Sequence, residues 1–393
     1  MLKLIKNAEV YAPEPLGKKD VLIADGRIAA VGEHILPELQ ESSPHVELVD
    51  GTGKKLMPGL IDSHVHITGG GGEGSFKTRT PELMLSDCTA GGITTVVGVI
   101  GTDGTTRTMT NLVAKAKALN EEGITCYCQS GSYQVPVKTL TGSLEKDIIL
   151  IEEIIGAGEI AISDHRSSQP TKEELARIAS DARVGGILSG KAGVVNVHLG
   201  DSPDRLRLIE EVVDTTDIPI TQFVPTHINR NRELLEAGVS FAKKGGYVDF
   251  TTSTTKEILA GDETKCSRGL KYMLAEGVPD NRITFTSDGQ GSLPEFDEAG
   301  KLKGLRIGRV TSLFKEVRDA VLEEGIAFET AIKVATSNVA DAYSLTGKGR
   351  VEAGKDADLL LLNRDDLSID SVMARGKWMM KDREIVTKGT FEE

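Results

Sequence analysis

The stretch GLIDSHVHI, residues 59–67, decides how this chain is read. An apolar run passes without a break into two histidines at i and i+2. Such a run suits a strand buried on both faces, as in a parallel sheet. Period-2 geometry points His64 and His66 to the same side of it. Two imidazoles converging on one point are either satisfied core histidines or ligands for a divalent ion, and the flanking sequence has to separate the two.

On the N-terminal side, residues 1–56 alternate apolar and polar residues around Asp-Gly and Gly-Lys turns, with Asp25-Gly26 as a hairpin signal. On the C-terminal side the pattern changes. Apolar runs (GLIDSHVHI, ITTVVGVIG, TCYCQSGSY, EIAISDH, GVVNVHLG, FVPTHI, YVDFTTS, ITFTSDG) alternate with helical stretches at 80–90, 109–122, 144–155, 171–183, 203–214, 231–244 and 264–276, followed by 308–324 and 328–344. Eight strands alternating with helices predict an α/β fold, a (β/α)8 TIM barrel over residues 57–345. Residues 346–393 return to hairpins, so both chain ends, 1–56 and 346–393, are expected to join in one small β-sandwich. The polar, Gly/Pro-punctuated segment 290–306 reads as a mobile loop.

Composition narrows the function. The formal net charge of -13 argues against nucleic-acid binding, which needs a basic surface. No apolar run approaches the ~20 residues of a membrane span. The start MLKLIKNAEVYAPE lacks a signal-peptide core, and Cys88, Cys126, Cys128 and Cys266 show no disulfide or zinc-finger spacing. The expectation is reduced cysteines and a cytoplasmic location.

Polar residues then test the barrel, because the C-terminal ends of its strands form the active site. His34 and His45 fall in the N-terminal segment. The other five histidines fall at strand ends: His64 and His66 on the first, His165 on the fourth, His198 on the fifth and His227 on the sixth; Asp288 ends the eighth. This clustering favours metal binding over packing. Four histidines and an aspartate are too many ligands for one zinc with an open position, and suit two ions ~3.5–4 Å apart. Such a pair needs an anionic bridge. Glu159, at the start of the fourth apolar run, can supply it, the alternative being an exposed glutamate just before the strand. Asp164 and His165 are expected to hydrogen-bond the ligands from behind.

These residues resemble the amidohydrolase superfamily, whose metal signature is PGLIDSHVH followed by His198, His227 and Asp288, with EAGKDADLLLL as its usual closing phrase. Within it, HITGGGGEG, TRTPE, GTDGTTR, GSYQVP, ISDHRS, THINRN and SDGQGS are similar to the isoaspartyl dipeptidases along the whole barrel. The resemblance implies hydrolysis of the β-aspartyl amide bond of a small dipeptide by a hydroxide bridging two zinc ions. It implies His64 and His66 on one zinc, His198 and His227 on the other, and Asp288 on the first metal and as proton carrier. It places Gly71, Glu73, Thr102, Tyr133, Arg166, Arg230 and Ser292 around the substrate, and a homo-oligomer, commonly an octamer. Tyr133 would donate to the developing oxyanion, Glu73 would pair with the ammonium, and Arg166 and Arg230 would hold the C-terminal carboxylate.

One departure stands out. Dinuclear members of this group usually carry a carboxylated lysine on the fourth strand as the metal bridge, and here no lysine lies between Lys146 and Lys172. Glu159 offers the same terminal carboxylate on a side chain shorter by roughly the rise of one strand residue, ~3.3 Å. Gly156 and Gly158 would let the backbone move inward to compensate. The metal ligands alone also fit dihydroorotase, hydantoinase or D-aminoacylase chemistry. A catalytically silent scaffold of the hydantoinase-like kind is the remaining alternative.

Overall fold

The computed structural model describes residues 2–36, 44–296 and 302–393. Eight strands, Leu60–Val65, Ile93–Gly98, Thr125–Ser130, Ile154–Ile162, Val194–Leu199, Phe223–Thr226, Val248–Thr251 and Ile283–Thr286, run in chain order around a barrel. The first six pair in parallel in sequence order, and the seventh pairs with the eighth. The Ile228 N–H to Asp249 carbonyl bond, 3.1 Å, joins sixth to seventh, and the His66 N–H to Gly289 carbonyl bond, 2.9 Å, joins eighth to first. Every residue of these strands except Tyr127 is buried, as their unbroken apolar runs demand.

The terminal segments form one nine-stranded sheet in which the C-terminal strand Leu359–Asn363 pairs with Lys54–Pro58. That sheet bends back on itself. The N-terminal hairpin is tied to C-terminal chain by Ile28 N–H to Lys355 carbonyl, 2.9 Å, and Ala357 N–H to Gly26 carbonyl, 2.8 Å. Ile5, Val10, Val21, Leu56, Leu359 and Met373 share a core separate from the barrel's. The expected union of both chain ends is present.

Three local expectations are corrected. The helix expected over 144–155 stops at Leu150, and the fourth strand begins at Ile154, so Glu159 lies within the strand and not at its entrance. The run ILIEEIIG has neither a clean 3.6 nor a clean 2.0 period, because it leads into a strand buried on both faces. The helix expected over 328–344 breaks into Phe328–Lys333 and Ser337–Ala342, with Thr336 between them outside helical geometry at φ -134°, ψ -98°. In the segment 290–306, Ser292–Phe296 pairs antiparallel with Leu302–Ile307; residues 297–301 lie outside the described residues.

Candidate metal centre and substrate cavity

Strand ends bring the charged and imidazole side chains together. His64 lies in the first strand and His66 just beyond it. His198 is the penultimate residue of the fifth, His227 follows the sixth, and Asp288 stands two residues past the eighth. His227 and Asp288 take left-handed backbone, φ 67° and 52°, an uncommon conformation held here by the surrounding structure.

Glu159 reaches the same point through a β-bulge. Ala157 pairs with Val195 and Ile160 with Val197, so Gly158 and Glu159 together oppose the single residue Asn196. A bulge re-aims the side chain it carries. Gly158, at φ 149°, meets the requirement for a residue without Cβ, since a Cβ there would stand 2.8 Å from the Asn196 carbonyl oxygen.

The carboxylate of Glu159 faces three of the histidines. Its Oε2 lies 3.3 Å from His64 Nε2 and 3.2 Å from His198 Nδ1, and its Oε1 lies 3.7 Å from His66 Nε2. Asp288 Oδ1 is 3.0 Å from His66 Nε2 and 3.8 Å from His64 Nε2. Among the described residues, two sets converge tightly enough to hold an ion: His64, His66 and Asp288, and His64, Glu159 and His227. His198 touches the centre through Glu159 and stands outside both sets.

The donor chemistry fits a metal. His64 Nε2, both Glu159 oxygens and Asp288 Oδ1 are buried without a hydrogen-bond partner, an arrangement too costly to keep unless a cation meets it. Burial opposes a charge on His64, yet Glu159 and Asp288 raise it to about 10, so this point of the barrel is strongly negative. Burial alone would raise Glu159, but His64 and His198 hold it well below the usual carboxylate range. His227 is pushed well down by burial and by His198 and Arg230, leaving a neutral ring with a lone pair to offer. The outer ring nitrogens are oriented from behind: His64 Nδ1 by Asn196 Oδ1 at 3.0 Å and His227 Nδ1 by Thr251 Oγ1 at 2.5 Å.

A cavity of about 410 Å³ opens over this centre, and Gly71, Glu73, Thr102, Tyr133, Arg166, Arg230 and Ser292 all line it. Tyr133 is buried, with its hydroxyl 2.8 Å from His198 Nδ1. Arg166 is not free. It donates to both oxygens of Asp164, from Nε at 3.0 Å and Nη2 at 2.7 Å, and its Nη1 is 3.4 Å from Glu73 Oε1. Asp164 also meets His198 Nε2 at 2.9 Å, as expected of a residue behind a ligand. His165 is exposed and faces a separate cavity with Ser167, Gln169 and Asp204, so its expected bond to a ligand is not made.

Comparison with known proteins agrees with this geometry. The amidohydrolase family model matches residues 56–379. The chain belongs to the amidohydrolase family. Among solved structures, the β-aspartyl dipeptidase of the thermophilic keratin degrader Fervidobacterium islandicum AW-1, in complex with the β-Asp-Leu dipeptide, is 45% identical, with 98% of each chain covered and a TM-score of 0.89. A second structure of that enzyme is 43% identical over the same coverage, with a TM-score of 0.88. The allantoinase of Enterococcus faecalis is 24% identical over 91% of this chain and 86% of its own. The resemblance drawn from the barrel motifs is thus borne out.

Several residues of this amidohydrolase site were not singled out from sequence. Buried Arg107 donates from Nη2 to the Gly70 carbonyl at 2.6 Å and from Nη1 to the Gly71 carbonyl at 3.3 Å, which holds the glycine run against the cavity. Asn229 donates to the carbonyls of Thr251 and Thr264, both at 3.1 Å, and so fastens the loop after the seventh strand beside Arg230. Asn196 carried a signal, since it stands two residues before His198 and therefore on the same side of the strand. Arg107 and Asn229 fall inside the motifs GTDGTTR and THINRN, but their roles were not legible there, because their partners are backbone carbonyls of remote segments.

Proposed function

We propose that this amidohydrolase hydrolyses the β-aspartyl amide bond of dipeptides such as β-Asp-Leu, with two zinc ions held by His64, His66, Glu159, His198, His227 and Asp288. The observation that carries the reading is the meeting of His66, His198, His227 and Asp288 of that set with Glu73, Arg166 and Arg230 at one cavity of dipeptide size, about 410 Å³. A zwitterionic dipeptide has one ammonium and two carboxylates, and this cavity carries the complementary charges. The Fervidobacterium relative, described in complex with β-Asp-Leu, adds support.

Bound divalent ions supply a water acidified to near neutral pH and a Lewis acid for the scissile carbonyl. Tyr133 stays protonated, since burial and Glu159 push its phenol well up, and donates to the oxygen that gains charge. Asp288 takes the proton of the attacking water on its carboxylate and passes it to the leaving amine. Glu73 takes the substrate ammonium. Thr102, Ser292 and the backbone of the glycine run take the α-carboxylate. Arg166, aligned by Asp164, and Arg230 take the C-terminal carboxylate. Four buried free cysteines accord with a reducing, cytoplasmic setting, and assembly into a homo-oligomer rests on the resemblance alone.

Turnover tests the reading. With zinc loaded, kcat/KM for β-Asp-Leu is expected to exceed that for dihydroorotate and N-acetyl-D-amino acids, and no hydrolysis of β-Asp-Leu overturns it. Less than about one equivalent of bound metal together with no activity would point to a silent scaffold.

A further inference from the structure

Glu263 lines the same cavity but belongs to neither metal-binding set and is given no part in the chemistry above. It sits on the loop between the seventh strand and the helix Cys266–Ala275. Its neighbour Thr264 is pinned from both sides: the Thr264 N–H donates to the Asn229 carbonyl at 2.8 Å, and Asn229 Nδ2 donates to the Thr264 carbonyl at 3.1 Å. Glu263 Oε1 is nonetheless buried without any hydrogen-bond partner. Burial raises this carboxyl to about 7 against the pull of the Thr254 hydroxyl and the Arg230 guanidinium. A buried acceptor left unmet beside a ligand cavity asks for a donor from the ligand.

The charges around it say which donor. Asp201, Asp262 and Glu263 line the cavity wall that also carries Arg230, and Arg230 Nη1 lies 3.8 Å from Asp201 Oδ1. On the dipeptidase reading, on which this inference rests, Arg230 is taken up by the substrate's C-terminal carboxylate. The acidic groups then face the side chain of the leaving residue uncompensated. Ile258, Leu293 and Pro294 line the cavity too and offer an apolar surface for a methylene stem. We propose that Glu263 is a specificity residue that selects β-aspartyl dipeptides whose leaving residue carries a cationic side chain, of the lysine type.

The test is kcat/KM for β-Asp-Lys against β-Asp-norleucine, a neutral counterpart of similar length, on the zinc-loaded enzyme. The wild type is expected to prefer the lysine dipeptide by roughly tenfold or more, the size of one hydrogen bond to a charged group. Glu263→Gln should bring the ratio close to parity. Glu263→Asp, which keeps the charge but withdraws it by one methylene, should leave a reduced preference and supplies the readout if the glutamine variant does not fold. Equal values for the two dipeptides in the wild type, or a preference that survives Glu263→Gln, overturns the assignment. No turnover of either dipeptide by the wild type removes the dipeptidase reading itself, so the two failures are told apart.

Discussion

At the scale of single residues, Glu159 concentrates the chemistry. It is 1% exposed, it is ionised, and its two oxygens face different histidines. Replacing it by glutamine keeps the volume and removes the charge that two cations would share. Glu159→Gln is therefore expected to lower bound metal and hydrolysis together, by at least about tenfold in affinity, given that even residues behind a ligand matter that much. Elemental analysis beside activity checks this, and unchanged zinc and rate would refute it. With Glu159 as the bridge no lysine would have to be carboxylated, so bicarbonate should not improve reactivation of metal-depleted protein. Tyr133 separates binding from chemistry. Tyr133→Phe should leave metal content as it was and lower kcat by about 10²-fold, the usual loss for one oxyanion donor; an unaffected rate removes that role.

At the scale of elements, the fourth strand shows both how far sequence reading reaches and where it stops. The eight strands were legible because their apolar runs alternate with helical stretches, and five of them end in a histidine or an aspartate. Glu159 was legible too as a candidate for the bridge, from the missing lysine. Its aim was not. A bulge is a matter of register between two strands, and only the Asn196 side of the pairing reveals it. The isoleucine-rich run before it hid the end of one helix and the beginning of the strand. The same bulge makes a prediction. Gly158→Ala adds a Cβ at φ 149° and 2.8 Å from the Asn196 carbonyl oxygen, so the backbone must shift. Its expected cost is about 1–3 kcal/mol of stability, and the shift should move Glu159 and reduce bound zinc. Calorimetry and metal analysis of the same sample read both; full metal content at wild-type stability would mean that the bulge does not set the glutamate.

At the scale of the whole molecule, function and stability sit at opposite ends of the barrel. The cavity lies at the C-terminal ends of the strands. The nine-stranded sheet meets the other end, where Thr125 begins the third strand. Lys348 makes that junction. Its Nζ is 2.6 Å from Thr125 Oγ1, 2.6 Å from Asp358 Oδ2 and 2.9 Å from Asp356 Oδ2, with the side chain only 4% exposed. Burial would lower this ammonium, but Asp358 and Asp356 outweigh it and raise it above the ordinary lysine range. The union of the chain ends was legible in their shared hairpin pattern. This tie was not, since a lysine in a polar turn reads as solvated. Lys348→Met leaves two carboxylates without their cation at a buried seam, and breaking one partner of a buried ion pair costs about 3–5 kcal/mol. The expected result is a clear fall in the thermal midpoint, with metal content and kcat at moderate temperature retained, because no bond of Lys348 reaches the metal centre. A loss of bound zinc in a variant that stays folded would show instead that the seam and the centre are coupled through the third strand.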